Sequence, residues 1–157
     1  MSDTAFRKIN IDQYDEDTLQ DSELFDPDTR SAEEAAAYAT QVSTQVRQVL
    51  GRQDIKGALQ LLLSEYPFGV DHDHAKATSL QTFVLILNST KSTDITSTIK
   101  SLNPEEQDGL MKFIYKGMEK IEGLDVNPSV FLTWHEKLTE VAGVGSIVRV
   151  MTDRRTI

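Results

Sequence analysis

The most ligand-like run of side chains in the chain is Asp71-His72-Asp73-His74. Histidine and carboxylate groups are common ligands of zinc, but a metal site requires its ligands to converge on one ion. This run lies at the predicted start of a helix, where side chains at positions i and i+2 point about 200° apart. We therefore expect no metal site here, and we predict that the acids complement the positive end of the helix dipole.

The third histidine begins a fragment of the zinc-protease motif HExxH, His135-Glu136. The motif fails because its second histidine is replaced by Thr139. Gly143-Val144-Gly145 likewise lacks the third glycine and the preceding strand of a dinucleotide-binding loop. We predict a surface histidine beside a core tryptophan, Trp134, and a tight turn between helices. Because no catalytic arrangement can be identified from spacing, we expect no enzyme activity, no cofactor and no metal.

Two groups of cations stand out in the second half of the chain. One repeats every four residues along a predicted helix, and the other lies near the C-terminal end. Such groups are usually solvated surface, but in a chain without catalytic candidates a role in binding a partner has equal weight. The residues predicted to bind partners in this part of the chain are Lys112, Lys116, Arg149, Arg154 and Arg155, and Lys120 completes the row.

The net charge of −9 is unevenly distributed along the chain. Residues 1 to 34 contain eleven acids and three cations, a balance of −8, so the remaining residues carry only −1. An acidic N-terminal segment and a nearly neutral body argue against nucleic acid as the main partner.

Length and composition indicate one soluble, intracellular domain. A chain of 157 residues can bury about 70% of its unfolded surface without disulfides. The absence of cysteine is typical of a reducing compartment. The first thirty residues contain no apolar core of an export signal, and no apolar run reaches the roughly 18 residues of a membrane span. We expect a cytoplasmic protein with no membrane partner.

The most apolar run, residues 79–87, lies near the midpoint of the chain. Leu80, Phe83, Val84 and Leu87 have the i, i+3, i+4, i+7 spacing of a helix, and the residues upstream favour a helix over a buried strand. Apolar residues also occupy much of the remaining circumference. We predict that this helix, spanning about residues 73–89, is the centre of the fold and that the other helices wrap around it.

Capping signals place most of the other helices. Ser31-Ala32-Glu33-Glu34 is a capping box, Asp54 precedes an apolar helical stripe, and Asn103-Pro104 and Asn127-Pro128 each open a helix. A last short helix holds Ile147, Val148 and Met151. We predict an all-α fold of about seven helices, an irregular helical solenoid or bundle.

The predicted domain organisation is an extended acidic arm over residues 1–30 and an all-helical body over residues 31–157. Two apolar stripes begin forty residues apart, at Asp54-Ile55 and Asp94-Ile95, a period near that of armadillo and HEAT repeats.

The arm has too few apolar side chains to form a core. Its segment Phe6 to Tyr14 nevertheless spaces aromatic and β-branched residues around two cations, a composition suited to ordering on the surface of a partner. A solvated tail has equal weight from composition alone.

Several stretches resemble a known family. Residues 110–117, 134–137 and 143–152 closely resemble the smallest subunit of the actin-related protein 2/3 complex, and Phe6-Arg7-Lys8-Ile9 through Tyr14-Asp15-Glu16 is similar to the N-terminus of that subunit. The resemblance covers the arm and most of residues 42–63 and 94–157, and the order and spacing of the stretches agree.

The resemblance implies a non-catalytic, all-helical subunit of a seven-subunit assembly that nucleates branched actin filaments. The body would dock on a β-propeller subunit and a central scaffold subunit, and the arm would reach the actin-related protein 2 subunit. It implies a location in the cytoplasm, at cortical actin structures of the cytoskeleton, and contact with actin filaments through the complex. The arm contacts carried over are Phe6, Arg7, Lys8, Ile9, Ile11 and Tyr14.

The linker between arm and body departs from the family pattern. Asp26-Pro27-Asp28 stands where the family has a Gly-rich acidic linker, which predicts a shorter and stiffer tether. About 15 residues between Tyr14 and the first helix would span at most about 50 Å extended, or about 20 to 23 Å as a coil. The alternative function is a stand-alone helical adaptor that binds peptides in a solenoid groove.

Overall fold

The computed structural model describes residues 23–69 and 72–157, and within these ranges the regular structure is seven α-helices and no strand. The predicted all-α fold with about seven helices is confirmed. The helices are α1 (Ala32–Leu50), α2 (Ile55–Ser64), α3 (Asp73–Ser89), α4 (Ile95–Lys100), α5 (Pro104–Glu119), α6 (Pro128–Ala142) and α7 (Val144–Thr152).

Most helices begin where the capping residues predict. Ser31 and Asn103 each accept a hydrogen bond from the backbone N–H three residues on, and the glutamate at that position bonds back to the cap, which completes a capping box. The Asp54 and Asn127 side chains also accept bonds from the first turns of α2 and α6. Because these bonds satisfy N–H groups that the helix leaves unpaired, the sequence fixes these starts locally.

The helices form a bundle of two groups. Helices α1, α2 and α3 pack on one another, as do α5, α6 and α7, and α2 and α3 join the groups by packing on α5. Helix α4 packs mainly on α6. The two apolar stripes that begin forty residues apart therefore form helices with different neighbours. Helix α2 packs on α1, α3 and α5, whereas α4 packs mainly on α6.

Helix α3 shares the centre of the fold with α5. It packs on α1, α2 and α5, and buries Phe83, Ile86 and Leu87, but Leu85 remains exposed. Helix α5 contacts four helices, including α6 and α7. The prediction that the other helices all wrap α3 is therefore wrong, because apolar periodicity shows that a helix is buried and not which neighbours cover it.

Aromatic rings connect the two groups. The rings of Phe83 and Phe113 have centroids 5.3 Å apart, and those of Phe83 and Phe131 have centroids 6.4 Å apart. All three side chains are fully buried, as is Trp134. Gly117 of α5 lies under the Phe131 ring so closely that a Cβ atom there would overlap the ring.

Within the described ranges no helix is both long and apolar enough to cross a membrane.

The turn between α6 and α7 is formed by Gly143. Its φ is 76°, a conformation that favours glycine, and the turn is tight, as predicted.

We expect Gly117→Ala to destabilise the protein by about 1 to 2 kcal/mol, because overpacking against Phe131 outweighs the better helix propensity of alanine. Urea denaturation followed by circular dichroism measures the change. Gly145→Ala is the matched control, since its Cβ would meet only the flexible end of Arg149. Equal stability of the two variants would show that the Phe131 contact is unimportant.

Candidate partner interface

The predicted arm contacts lie outside the residues that the structure describes. They are Phe6, Arg7, Lys8, Ile9, Ile11 and Tyr14. The described part of the predicted arm is residues 23–30, here named the arm root. The body cations lie in described helices or in residues 153–157, here named the C-terminal tail.

The arm root packs against the C-terminal tail. The backbone N–H of Asp26 donates to the carbonyl of Arg154 over 3.2 Å, and the Arg154 guanidinium donates to the carbonyl of Glu23 over 3.4 Å. The tail is itself held by Gly69, whose N–H donates to the carbonyl of Thr156, and by the burial of Ile157 in the core. The arm thus leaves the body beside the tail and not at the start of α1.

An ion pair anchors the end of the arm root. Arg30 and Asp28 form a bidentate pair with a shortest contact of 2.6 Å, and Arg30 also donates to the carbonyl of Tyr66. The guanidinium lies 5.6 Å from the ring centre of Tyr38. The hydrogen bond from the Arg30 side chain lowers the pKa of Asp28 to about 2, although burial acts in the opposite direction.

His72, one of the ligand-like residues in the sequence, hydrogen bonds to the backbone of the Asp28–Arg30 anchor. Its ring is buried, and Nε2 donates to the carbonyl of Arg30 over 3.0 Å. His74 is exposed, and Asp73 lies in the first turn of α3, as predicted for an acid that complements the helix dipole. Among the described residues no group of three histidines and acids could hold a metal ion.

Lys112, predicted from the sequence to bind a partner, is buried against the C-terminal tail. Its ammonium donates to the Tyr66 hydroxyl over 3.2 Å and to the carbonyl of Arg155 over 3.1 Å, and forms a 2.7 Å ion pair with Asp153. Only 8% of its side chain is exposed. Its charge is therefore satisfied within the chain, and its role in binding a partner stays a prediction. Burial alone would raise the pKa of Asp153, but the bonds from Lys112 and the Arg155 N–H lower it.

The other two lysines of the row become progressively more exposed toward the end of α5. The Lys116 side chain is 27% exposed and pairs with Glu119 over 3.1 Å, and the Lys120 side chain is 61% exposed. The row shares one side of a helix, as predicted, but the C-terminal tail covers its first member.

The arginines at the C-terminal end remain at the surface with partners inside the chain. Arg149 forms a bidentate pair with Asp108, with contacts of 2.6 and 2.8 Å, which connects α7 to α5. The Arg155 guanidinium lies 5.2 Å from the ring centre of Phe68. Arg154 is exposed beside the arm root. Exposed ion pairs contribute little stability, so these cations remain candidates for partner contact.

His135, the histidine of the incomplete protease motif, contacts the tyrosine Tyr115. The Tyr115 hydroxyl and His135 Nε2 are 3.0 Å apart, and the two rings meet edge to face. Trp134 beside it is fully buried. The prediction of a hydrogen-bonded histidine next to a core tryptophan is confirmed, although the histidine is half-buried and not at the surface.

Sequence reasoning missed the anchor and the tail contacts. Asp28, Arg30, Tyr66 and Asp153 gave no signal as a group, because they come from three distant parts of the chain. The only local sign was the Asp-x-Arg spacing of Asp28 and Arg30, which is common on protein surfaces.

We expect Lys112→Met to destabilise the protein by about 1 to 3 kcal/mol, because Asp153 and the Arg155 carbonyl lose their buried partner. Amide hydrogen exchange of residues 153–157 should accelerate along with the loss measured in urea. Lys116→Met is the matched control and should change stability by less than about 0.5 kcal/mol. Equal effects of the two changes would contradict the buried role of Lys112.

Stability should depend on the ionisation of Asp28. Because its folded-state pKa is below its unfolded value, its contribution is complete above about pH 5 and is lost as the pH falls from about 4 to about 2. At pH 7 Asp28→Asn should cost about 2 kcal/mol, and the cost should shrink toward zero near pH 2. Urea denaturation of both proteins across this range tests the effect, which a cost independent of pH would exclude.

Comparison with known proteins identifies a family. The family model of the ARP2/3 complex 16 kDa subunit (p16-Arc) matches residues 5–157. Actin-related protein 2/3 complex subunit 5-C of Xenopus laevis is 36% identical over 152 residues, covering 97% of this chain and 94% of that protein.

Similar agreement extends to other organisms. The human subunit 5-like protein is 34% identical over 157 residues, covering 98% of this chain and 95% of its own length. Subunit 5 of Saccharomyces cerevisiae is 32% identical over 162 residues, covering 97% of each chain. The matched region includes both the segment of the predicted arm contacts and the helical body. The chain therefore belongs to the family of the 16 kDa subunit of the actin-related protein 2/3 complex.

Proposed function

We propose that this protein is a non-catalytic structural subunit of the actin-related protein 2/3 complex and acts through it in the nucleation of branched actin filaments in the cytoplasm. The observation that carries the proposal is the family match from residue 5 to residue 157, which includes arm and body together. The other subunits of the complex are its partners, and actin filaments are reached through the complex.

The two parts of the chain have different tasks in this proposal. The helical body docks on the β-propeller subunit and a central scaffold subunit, and the arm binds the actin-related protein 2 subunit. The exposed Arg149, Arg154 and Arg155 and the half-buried Lys116 are the cations that contact the body's partners. Phe6, Ile9, Ile11 and Tyr14 are the apolar contacts of the arm.

The docked arm root shortens the tether. With the chain held at Asp26, about a dozen residues separate it from Tyr14, which is at most about 40 Å extended and about 17 to 21 Å as a coil. The maximum length predicted from the sequence is about 50 Å, because that prediction counts every residue between Tyr14 and the first helix as tether. Such a short tether keeps the second contact intramolecular, at an effective concentration of order millimolar. The arm retains the actin-related protein 2 subunit while that subunit changes position.

The adaptor alternative has less support. The groove between the arm root, the end of α2 and the start of α5 encloses about 740 Å³. Its apolar side chains are Leu63, Tyr66 and Phe68, and most of its lining is charged. Peptide grooves are usually lined by apolar and aromatic groups, so a charged groove is a poor site for a short hydrophobic peptide.

Deleting residues 1–22 should leave a folded, assembling body, because the arm root and its anchor remain. Retention of the actin-related protein 2 subunit should weaken and nucleation should slow, since the second contact is lost. Size-exclusion chromatography of the purified complex measures retention, and fluorescence of pyrene-labelled actin measures nucleation. A full-length control with Phe6→Ser, Ile9→Ser and Tyr14→Ser keeps the arm but removes most of its apolar contacts, and should behave like the deletion. Unchanged nucleation by both proteins would refute the tether.

A further inference from the structure

Helix α7 has apolar side chains on two sides of its axis, and the fold covers only one of them. Ser146 is fully buried, and Ile147 and Val150 pack against the core. On the other side Val144, Val148 and Met151 are 67%, 59% and 64% exposed. These three residues, here named the α7 row, have the i, i+4, i+7 spacing that places side chains on one helix face.

Exposed apolar surface is concentrated around this row. Of seven large apolar side chains exposed in the described ranges, three form the α7 row and two more, Leu24 and Phe25, belong to the arm root. The arm root is hydrogen bonded to Arg154, three residues beyond Met151. The remaining two, Leu85 and Leu132, are isolated among polar neighbours on their helices, and single exposed residues need no explanation.

The row continues into a groove. Met151 lines a cleft of about 260 Å³ between the second half of α5 and the C-terminal tail, together with Tyr115, Lys116 and Ile157. A partner seated on the α7 row could therefore extend into a concave surface that is partly apolar and has a cation at its edge.

The charge beside the α7 row indicates the chemistry of the partner. Of the three arginines in residues 144–157, Arg149 pairs with Asp108 and Arg155 with Asp26, whereas the exposed Arg154 guanidinium bonds to a neutral carbonyl oxygen, that of Glu23. A complementary surface has an apolar strip flanked by carboxylates. The net charge of the whole chain disfavours an anionic membrane, because the negative surface potential of such a membrane repels an acidic protein.

We propose that the α7 row is the face by which the body docks on a neighbouring protein subunit, through an apolar strip of that subunit edged with aspartate or glutamate. This inference rests on the proposed function and deepens it, since it assigns the docking of the body to one helix face. Arg154 and Lys116 form the cationic rim of the docking face.

The test compares three proteins in reconstituted complexes made by co-expression with the other subunits. The wild-type chain, Val148→Asp with Met151→Asp, and the matched control Leu132→Asp are each scored for incorporation by size-exclusion chromatography. The double variant should incorporate at least about tenfold less well than wild type, because carboxylates would be buried in an apolar contact. Leu132→Asp should incorporate normally. Helicity and urea midpoints should match wild type, since all three side chains are exposed.

A charge variant tests the rim of the docking face. Arg154→Glu should slow incorporation, because the rim would then repel the carboxylates of the partner. Incorporation of Arg154→Glu at the wild-type rate would show that no carboxylates of the partner face this rim, which contradicts that part of the proposal.

A photo-crosslinking residue at position 148 gives an answer that does not depend on the folding of the variants. It should crosslink to another subunit of the assembled complex, and the same residue at position 132 should not. Normal incorporation of the double variant, or equal loss with Leu132→Asp, overturns the docking face while the proposed function stands. Failure of the wild-type chain to incorporate overturns both.

Two further results would assign the face to another occupant and overturn the proposal. One is a dimer of the isolated chain, in analytical ultracentrifugation, that the double variant abolishes. The other is binding to phosphatidylserine vesicles that the same variant abolishes.

Discussion

The ammonium of Lys112 is buried only because oxygen atoms from two other parts of the chain surround it. Tyr66 supplies a hydroxyl, Asp153 a carboxylate and Arg155 a carbonyl. A buried cation without such partners would be prohibitively costly, so the charge on α5 requires the tail to lie across it. The tail in turn bonds the arm root at Arg154. One desolvated charge thus determines where both described ends of the chain run.

Local features of the fold were predictable because their causes lie within a few residues. The capping side chains of Ser31, Asp54 and Asn103 each bond to an N–H three residues away, and the apolar run of α3 shows its helical spacing directly. Family resemblance identified segments whose sequences are long enough to be specific. Fold class, helix count and family could therefore be read from the sequence.

Long-range features were not predictable, because nothing local encodes them. The bond between Asp26 and Arg154 joins residues far apart in sequence, and the spacing of Lys112 with Lys116 shows a shared side but not what covers it. Met151 shows the same limit. The sequence places it in the last short helix but does not say whether it is buried, because α7 is apolar on two sides and the fold covers only one of them. Burial depends on tertiary packing, which periodicity does not contain.

The anchor formed by Asp28 and Arg30 has a mechanical consequence. Tension applied along the arm would reach the body first where Glu23 and Asp26 bond to Arg154. It would next reach Arg30, whose bonds with the Tyr66 carbonyl and the His72 ring pass it into the loop before α3. These contacts lie ahead of Ser31, so the pulling force is taken up before it reaches the first turn of α1. The helical bundle can therefore withstand a load on its extension without unwinding from its end.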